Sequence, residues 1–288
     1  MSSTRSSYRL ASAVMTSTFG KQIDGRSRSQ MILAYHEIVP GVESYRYAVA
    51  CSVLNEHLAL ITKLATENRT PAPASRVTFD DGHLSNYRFA APLLEKHGIR
   101  GTFFVIGSNI SNKPNYMTWE ELRQLVFRGH EVQSHGWSHV PLNQCSENQL
   151  KEELVRSKKT LEDKLGISVE SLSAAHGRWN DHVLEACAKA GYKQVFHSDP
   201  WAKPCERAGI RLAGRLIVDR KMDANKLRRL LEQEWSAMFL LGLRRHLKDG
   251  LKNTLGDPLY HKLWCQMSGW TGPVEVPGDE DTSPQQGS

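Results

Sequence analysis

The chain has 288 residues, 40% hydrophobic and 24% charged, which suits one large domain or two small ones and excludes wholesale disorder, collagen and multi-span membrane classes. Lys and Arg outnumber Asp and Glu by 37 to 31, a formal charge of +6; this favours anionic surroundings but says nothing of the fold. The cysteines (Cys51, Cys145, Cys187, Cys205 and Cys265) are scattered and nowhere spaced as C-x-x-C, so neither a disulfide framework nor a thiolate metal site is indicated and a reducing compartment is the simpler reading.

Residues 1–30 are rich in Ser and Arg without a sustained period and read as an N-terminal extension. Ser and Thr interrupt the stretch Tyr8 to Gly20, so it does not make the apolar centre of an export signal. The apolar run Ala237 to Leu243 is far shorter than the roughly 20 residues that cross a bilayer. The expected location is therefore cytoplasmic, with peripheral contact at the inner membrane face as a variant.

An ordered domain over residues 31–222 is expected to open on the strand Met31 to Ala34, ending at Tyr35 and His36. Strand Arg76 to Phe79 and a helix over Asn86 to His97 follow, then strand Gly101 to Ile106 and a helix over Thr118 to Arg128. Next come His130 to Ser134, a helix over Glu147 to Leu165, a short strand near Leu172, a helix over Asp181 to Ala190, and strand Gln194 to His197. Repeated β-then-α units predict an α/β fold, a parallel sheet or barrel that works at its strand C-terminal ends.

Residues 223–270 read as a basic helical appendage, with Leu227, Leu230, Leu231, Trp235 and Met238 on one face. Between Trp235 and Leu255, Trp, Phe and Leu mix with Arg and Lys. Such a helix can lie in a membrane interface, or close the barrel with a solvated basic face. Residues 271–288 hold Pro, Gly and acids and read as a disordered tail.

Thr78-Phe79-Asp80-Asp81-Gly82 falls where a strand should end. Neighbouring strand side chains point to opposite faces, so two adjacent aspartates share a site only where strand gives way to loop, and Gly82 permits that change. A plain surface turn has the same signature. Ser134-His135-Gly136-Trp137-Ser138-His139 also follows a strand. Its histidines at i and i+4 are expected on one face of a helical turn, close enough for both imidazoles to reach one cation. One Asp and two His with open positions make the donor set of a catalytic divalent site.

TFDDG followed by SHGWSH resembles the first two motifs of the polysaccharide deacetylases, the NodB-homology group called carbohydrate esterase family four, over roughly Met31 to Val218. The resemblance implies a distorted (β/α) barrel, a zinc-type divalent cation, and hydrolysis of an N-acyl group on an amino sugar. It further implies Asp80 as general base and Asp81, His135 and His139 as metal ligands.

The chain also departs from that pattern. Its stretch for the third motif, Ala174 to Asn180, lacks the usual proline; there Arg178 is a candidate to orient Asp80, and Trp179 to stack on a sugar face. The late Leu-x-His motif that carries the acid is absent. Some relatives begin with a Tyr-His strand end resembling Leu33 to Ile38, which nominates His36 as the acid, with His176 and His197 as rivals. His197 to Trp201 resembles the fourth region, where Asp199 would support the catalytic histidine; a simple turn is the other reading.

The function expected is a metal-dependent hydrolase that removes an N-acetyl or N-formyl group from an amino sugar or oligosaccharide, lipid-linked or free, during cell-surface polysaccharide assembly. The alternatives are a hydrolase of a non-sugar amide or cyclic ureide on the same barrel, and a carbohydrate-binding pseudoenzyme. A nucleic-acid partner is not expected, because no basic motif with interleaved aromatics is present.

Overall fold

The computed structural model describes residues 31–41, 44–67, 77–202, 204–240 and 242–243; the N-terminal extension, the tail and most of the appendage lie outside these residues. The chain opens with β1 (Ile32–Tyr35), β2 (Glu37–Val39), β3 (Ala48–Ala50), α1 (Cys51–Thr66) and β4 (Val77–Phe79). A π-helical turn (Asn86–Ala90) then runs into α2 (Ala91–Lys96), followed by β5 (Thr102–Val105), α3 (Trp119–Phe127) and β6 (Glu131–Ser134). Next, α4 (Glu147–Lys151), a second π-helical turn (Glu152–Arg156) and α5 (Ser157–Leu165) lead to β7 (Ser171–Ser173), α6 (Asp181–Lys189) and β8 (Gln194–His197). Last come β9 (Cys205–Arg207), β10 (Ile210–Ile217) and α7 (Ala224–Leu231).

Seven parallel strands in the order β1-β4-β5-β6-β7-β8-β10 close into a barrel through the pairing of β10 with β1, while β9 runs antiparallel along β10. Register fixes which side chains face inward, because alternate residues point to opposite faces. Outward-facing Leu33, Tyr35, Phe79, Phe103 and Leu172 join the helices in one large core, whereas Phe104, Phe196 and Ala213, with Ile32 against them, fill the narrow interior. Each large apolar side chain taken fully out of water contributes about 1.5 to 3 kcal/mol.

Helix starts are chemically marked: Thr118 with Glu121, and Ser146 with Gln149, form reciprocal capping boxes, and Asn180 and Asp223 cap α6 and α7. The sequence reading named no element between His36 and Arg76, where β2, β3 and α1 lie, and none for β9 or β10.

Leu227, Leu230 and Leu231 of α7 are buried in the barrel's own core, so no break in packing separates them from it. The expected continuous face is interrupted at residues 232–234, where Gln233 takes a left-handed φ of 57°. Beyond it Trp235 is 70% exposed and stacks on Phe239 instead of joining the three leucines. Among the described residues, no helix is long and apolar enough to cross a membrane.

Candidate active site

The site begins where β4 stops. Asp80 N still donates to Tyr35 O at 2.9 Å, so Asp80 keeps the strand register and points inward with Thr78. Asp81 and Gly82 then adopt left-handed φ of 72° and 77°. That conformation costs a non-glycine residue free energy, and its persistence marks a segment held by its surroundings. The reversal brings both aspartates to one rim.

Across that rim, His135 N donates to Val105 O at 2.9 Å, directing the imidazole inward from the end of β6. Residues 135–139 are loop and not the expected helical turn. Gly136 at φ 80° and His139 at φ 68° open the backbone, so the two imidazoles meet through a loop reversal, with ring centroids 4.9 Å apart. Their Nε2 atoms lie 3.3 Å (His135) and 3.4 Å (His139) from Asp81 Oδ1.

These three side chains offer one donor atom each, all within 4.8 Å of one another, and their chemistry suits a cation. Asp81 Oδ1 is buried without a hydrogen-bond partner among the described residues. His135 Nδ1 lies 2.8 Å from Ser173 O; a carbonyl only accepts, so Nδ1 carries the proton and Nε2 is left to face the carboxylate. Burial opposes charge on His135, but Asp80 and Asp81 outweigh it and raise its pKa, whereas burial pushes His139 down. A cation between Asp81 Oδ1 and the two Nε2 atoms would be attracted by the carboxylate and accept a lone pair from each imidazole. Burial also works to raise Asp81, but His135, His139 and His36 outweigh it and hold the carboxylate far below its usual range.

Asp80 is held by Arg215, on a strand the sequence reading did not identify. Both terminal nitrogens of Arg215 donate to the carboxylate at 2.7 Å. Nη1 also donates to Thr78 Oγ1 at 3.0 Å, Nη2 to Ser173 Oγ at 2.7 Å, and Ser173 Oγ reaches Asp80 Oδ2 at 3.2 Å. Arg215 is 1% exposed, and its guanidinium lies against both the Phe104 and Phe196 rings, 5.2 and 5.7 Å from their centroids. Burial works to raise the Asp80 pKa, but Arg215, with His135 and His36, outweighs it and lowers it. The anchoring expected of Arg178 is thus supplied by Arg215.

His36 follows β1 with the inward parity of Ile32 and Ala34, and its ring stacks on Tyr47 at 5.0 Å. Its Nδ1 is buried without a hydrogen-bond partner among the described residues, and its charge is felt at Asp80, Asp81 and His139. His176 has a left-handed φ of 57° and stands 4.7 Å from the His139 ring. Trp179 is half-buried against the core, 5.7 Å from the His197 ring, and Arg178 adjoins it on the same rim. The Asp199 amide donates to His197 Nδ1 at 3.2 Å and its Oδ1 accepts from Trp201 N at 3.0 Å, the bonding of a turn that follows β8.

Residues 67–195 match the family model described as Polysaccharide deacetylase. The Bacillus subtilis protein YxkH is 30% identical over 185 residues, covering 59% of this chain and 65% of YxkH. A chitooligosaccharide deacetylase of Sinorhizobium fredii is 32% identical over 142 residues, covering 47% of this chain and 63% of that protein. The chain thus spans less than two thirds of the length of these curated relatives. Among solved structures, the Streptococcus pyogenes deacetylase PplD in complex with acetate superposes with a TM-score of 0.58 at 22% identity, covering 69% of this chain and 96% of PplD. IcaB from Ammonifex degensii superposes at 0.59 and 22% identity, covering 72% and 98%. At these identities the two structures speak for the fold, a closed parallel barrel of the NodB type.

Proposed function

We propose, on the premise that this chain belongs to the polysaccharide deacetylase family, that it hydrolyses the N-acetyl group of an amino sugar within an oligosaccharide or polysaccharide. The observation that carries this reading is the meeting of Asp81 Oδ1 with the Nε2 atoms of His135 and His139, beside an Asp80 clamped by Arg215.

Asp81, His135 and His139 would hold a divalent cation, and two imidazoles with one carboxylate suit zinc. When bound, such an ion supplies the charge that acidifies a water and polarises an amide carbonyl. Asp80 would accept the proton of the attacking water. Arg215 keeps it ionised and in one orientation, so it is a weak base and removes protons only from a strongly acidified donor. His36 would give a proton to the departing amine, a role supported by its buried Nδ1, which has no hydrogen-bond partner among the described residues. Trp179, half-buried against the core, would offer an aromatic face to a sugar ring.

The curated relatives include chitooligosaccharide and peptidoglycan N-acetylglucosamine deacetylases, which supports an N-acetylated amino sugar as the substrate class. Assembly of a cell-surface polysaccharide from within the cytoplasm is the setting we propose. The test is mass spectrometry of zinc-loaded protein with N-acetylated chito-oligosaccharides and peptidoglycan fragments. Release of acetate with the matching loss of mass from the sugar is expected. Turnover confined to non-sugar amides or ureides, or no turnover at all, would overturn the reading.

A further inference from the structure

Behind the loop that carries His135 and His139 sits a carboxylate to which the reaction gives no part. Glu153 lies in the π-helical turn Glu152–Arg156 and is 5% exposed, whereas its neighbour Glu152 faces solvent. The wider turn changes which residue faces inward, and such insertions are frequent at functional sites. Glu153 Oε2 accepts from Trp137 N at 2.7 Å and from Ser138 N at 3.0 Å, and Oε1 accepts from Ser138 Oγ at 2.5 Å. These bonds join one buried charge to the two residues between the imidazoles.

Other contacts lock the same turn to the loop. Arg156 lies 3.9 Å above the Trp137 ring. Ser157 Oγ donates to Glu153 O at 2.6 Å and meets Ser134 Oγ at 3.0 Å, and Ser134 Oγ in turn accepts from Gly136 N at 3.1 Å. A Cβ on Gly136 would stand 3.0 Å from Glu153 Oε2, so glycine leaves the carboxylate room to approach. Beyond Ser138 the chain enters the left-handed conformation of His139, which a loop without such anchoring would leave for commoner conformations.

We propose that Glu153 is a positioning residue for the metal centre: through Trp137 and Ser138 it fixes the directions in which His135 and His139 present Nε2 to Asp81. The inference rests on the reading that these three side chains hold a divalent cation. Buried charge-assisted hydrogen bonds are stronger than neutral ones, so Glu153→Gln keeps the shape while losing the charge that gathers the loop donors.

The test uses Co²⁺ as the probe on full-length protein, reading its affinity by chelator competition, its visible d–d absorption, and the thermal unfolding of the metal-free protein. In Glu153→Gln, affinity falls by about 10- to 100-fold, the range found when partners supporting metal ligands are removed. The d–d bands shift as His139 turns away, and Glu153→Asp partly restores both. Affinity and bands equal to wild type overturn the proposal. Where Glu153→Gln fails to fold, Ser138→Ala decides, since it removes a single bond at the loop: weaker Co²⁺ binding supports the proposal and unchanged binding overturns it. Wild-type protein that takes up no Co²⁺ overturns the metal reading itself, and this inference with it, so the two failures are told apart.

Discussion

Arg215 and Asp80 lie 135 residues apart in sequence, yet both terminal nitrogens of the guanidinium sit 2.7 Å from the carboxylate oxygens. The pair forms a polar layer above the apolar plug of Phe104, Phe196 and Ala213, with Thr78 and Ser173 taking further guanidinium bonds. Removing one partner of such a pair strands a buried charge, at a cost of about 3 to 5 kcal/mol, whereas removing both can be close to neutral. Arg215→Met and Asp80→Asn are therefore each expected to lower stability in urea unfolding. The double variant should regain much of that loss while showing no turnover, since it lacks the proposed base. A double variant no more stable than the worse single one would contradict the coupling.

Asp81→Asn and His135→Ala should each abolish stoichiometric metal in the purified protein, measured by inductively coupled plasma mass spectrometry. The loss of turnover should exceed the roughly 10- to 100-fold effect typical of residues that merely support ligands. Chelation of wild-type protein should likewise stop turnover, and zinc should restore it. Full activity in chelator would contradict the cation reading.

His36→Ala is expected to retain metal and lower turnover by about 10² to 10⁴, as loss of a general acid does. The leaving group gives an independent check. An acetylated amine with an unusually acidic conjugate acid departs without much help, so the variant's deficit should shrink on such a substrate. An equal deficit on both substrates would assign His36 to structure.

The aspartates and the histidine pair were legible because each sits in a short string at a strand end, where periodicity and chemistry are local. The conformation joining the histidines was not. Spacing at i and i+4 suggests a helix, but Gly136 at φ 80° and His139 at φ 68° build a loop that brings the same atoms together. Arg215 escaped because its partner is remote and it sits inside the apolar run of β10. The available signal was parity: Arg215 shares the inward face with Ala213, and an arginine facing a barrel interior must find a carboxylate there. Motif resemblance is local and pointed to Arg178, after β7, whereas the guanidinium bonded to Asp80 comes from β10. The end of α7 at residue 231 and the turn at Gln233 were not legible, because helical periodicity runs on from Leu231 to Trp235 without a local break signal.

Acid should weaken the fold through a group remote from the chemistry. His57 on α1 is 0% exposed and faces the Tyr35 hydroxyl with Nδ1 at 2.9 Å, and burial pushes its pKa down from 6.5 to about 4. As pH falls below 6.5, the unfolded chain protonates this imidazole first, so the unfolded state binds more protons and stability falls until the folded pKa is reached. Above 6.5 neither state holds the proton and His57 contributes no slope. Between about pH 7 and pH 4.5 the loss from this group is about 2 kcal/mol. His57→Gln keeps a hydrogen-bonding side chain without a titrating one, so its unfolding free energy should change less over that interval than the wild type's, by about that amount. Comparing the two pH slopes, not the two absolute stabilities, isolates His57 from any packing change the substitution brings. Parallel slopes would place the acid sensitivity in other groups.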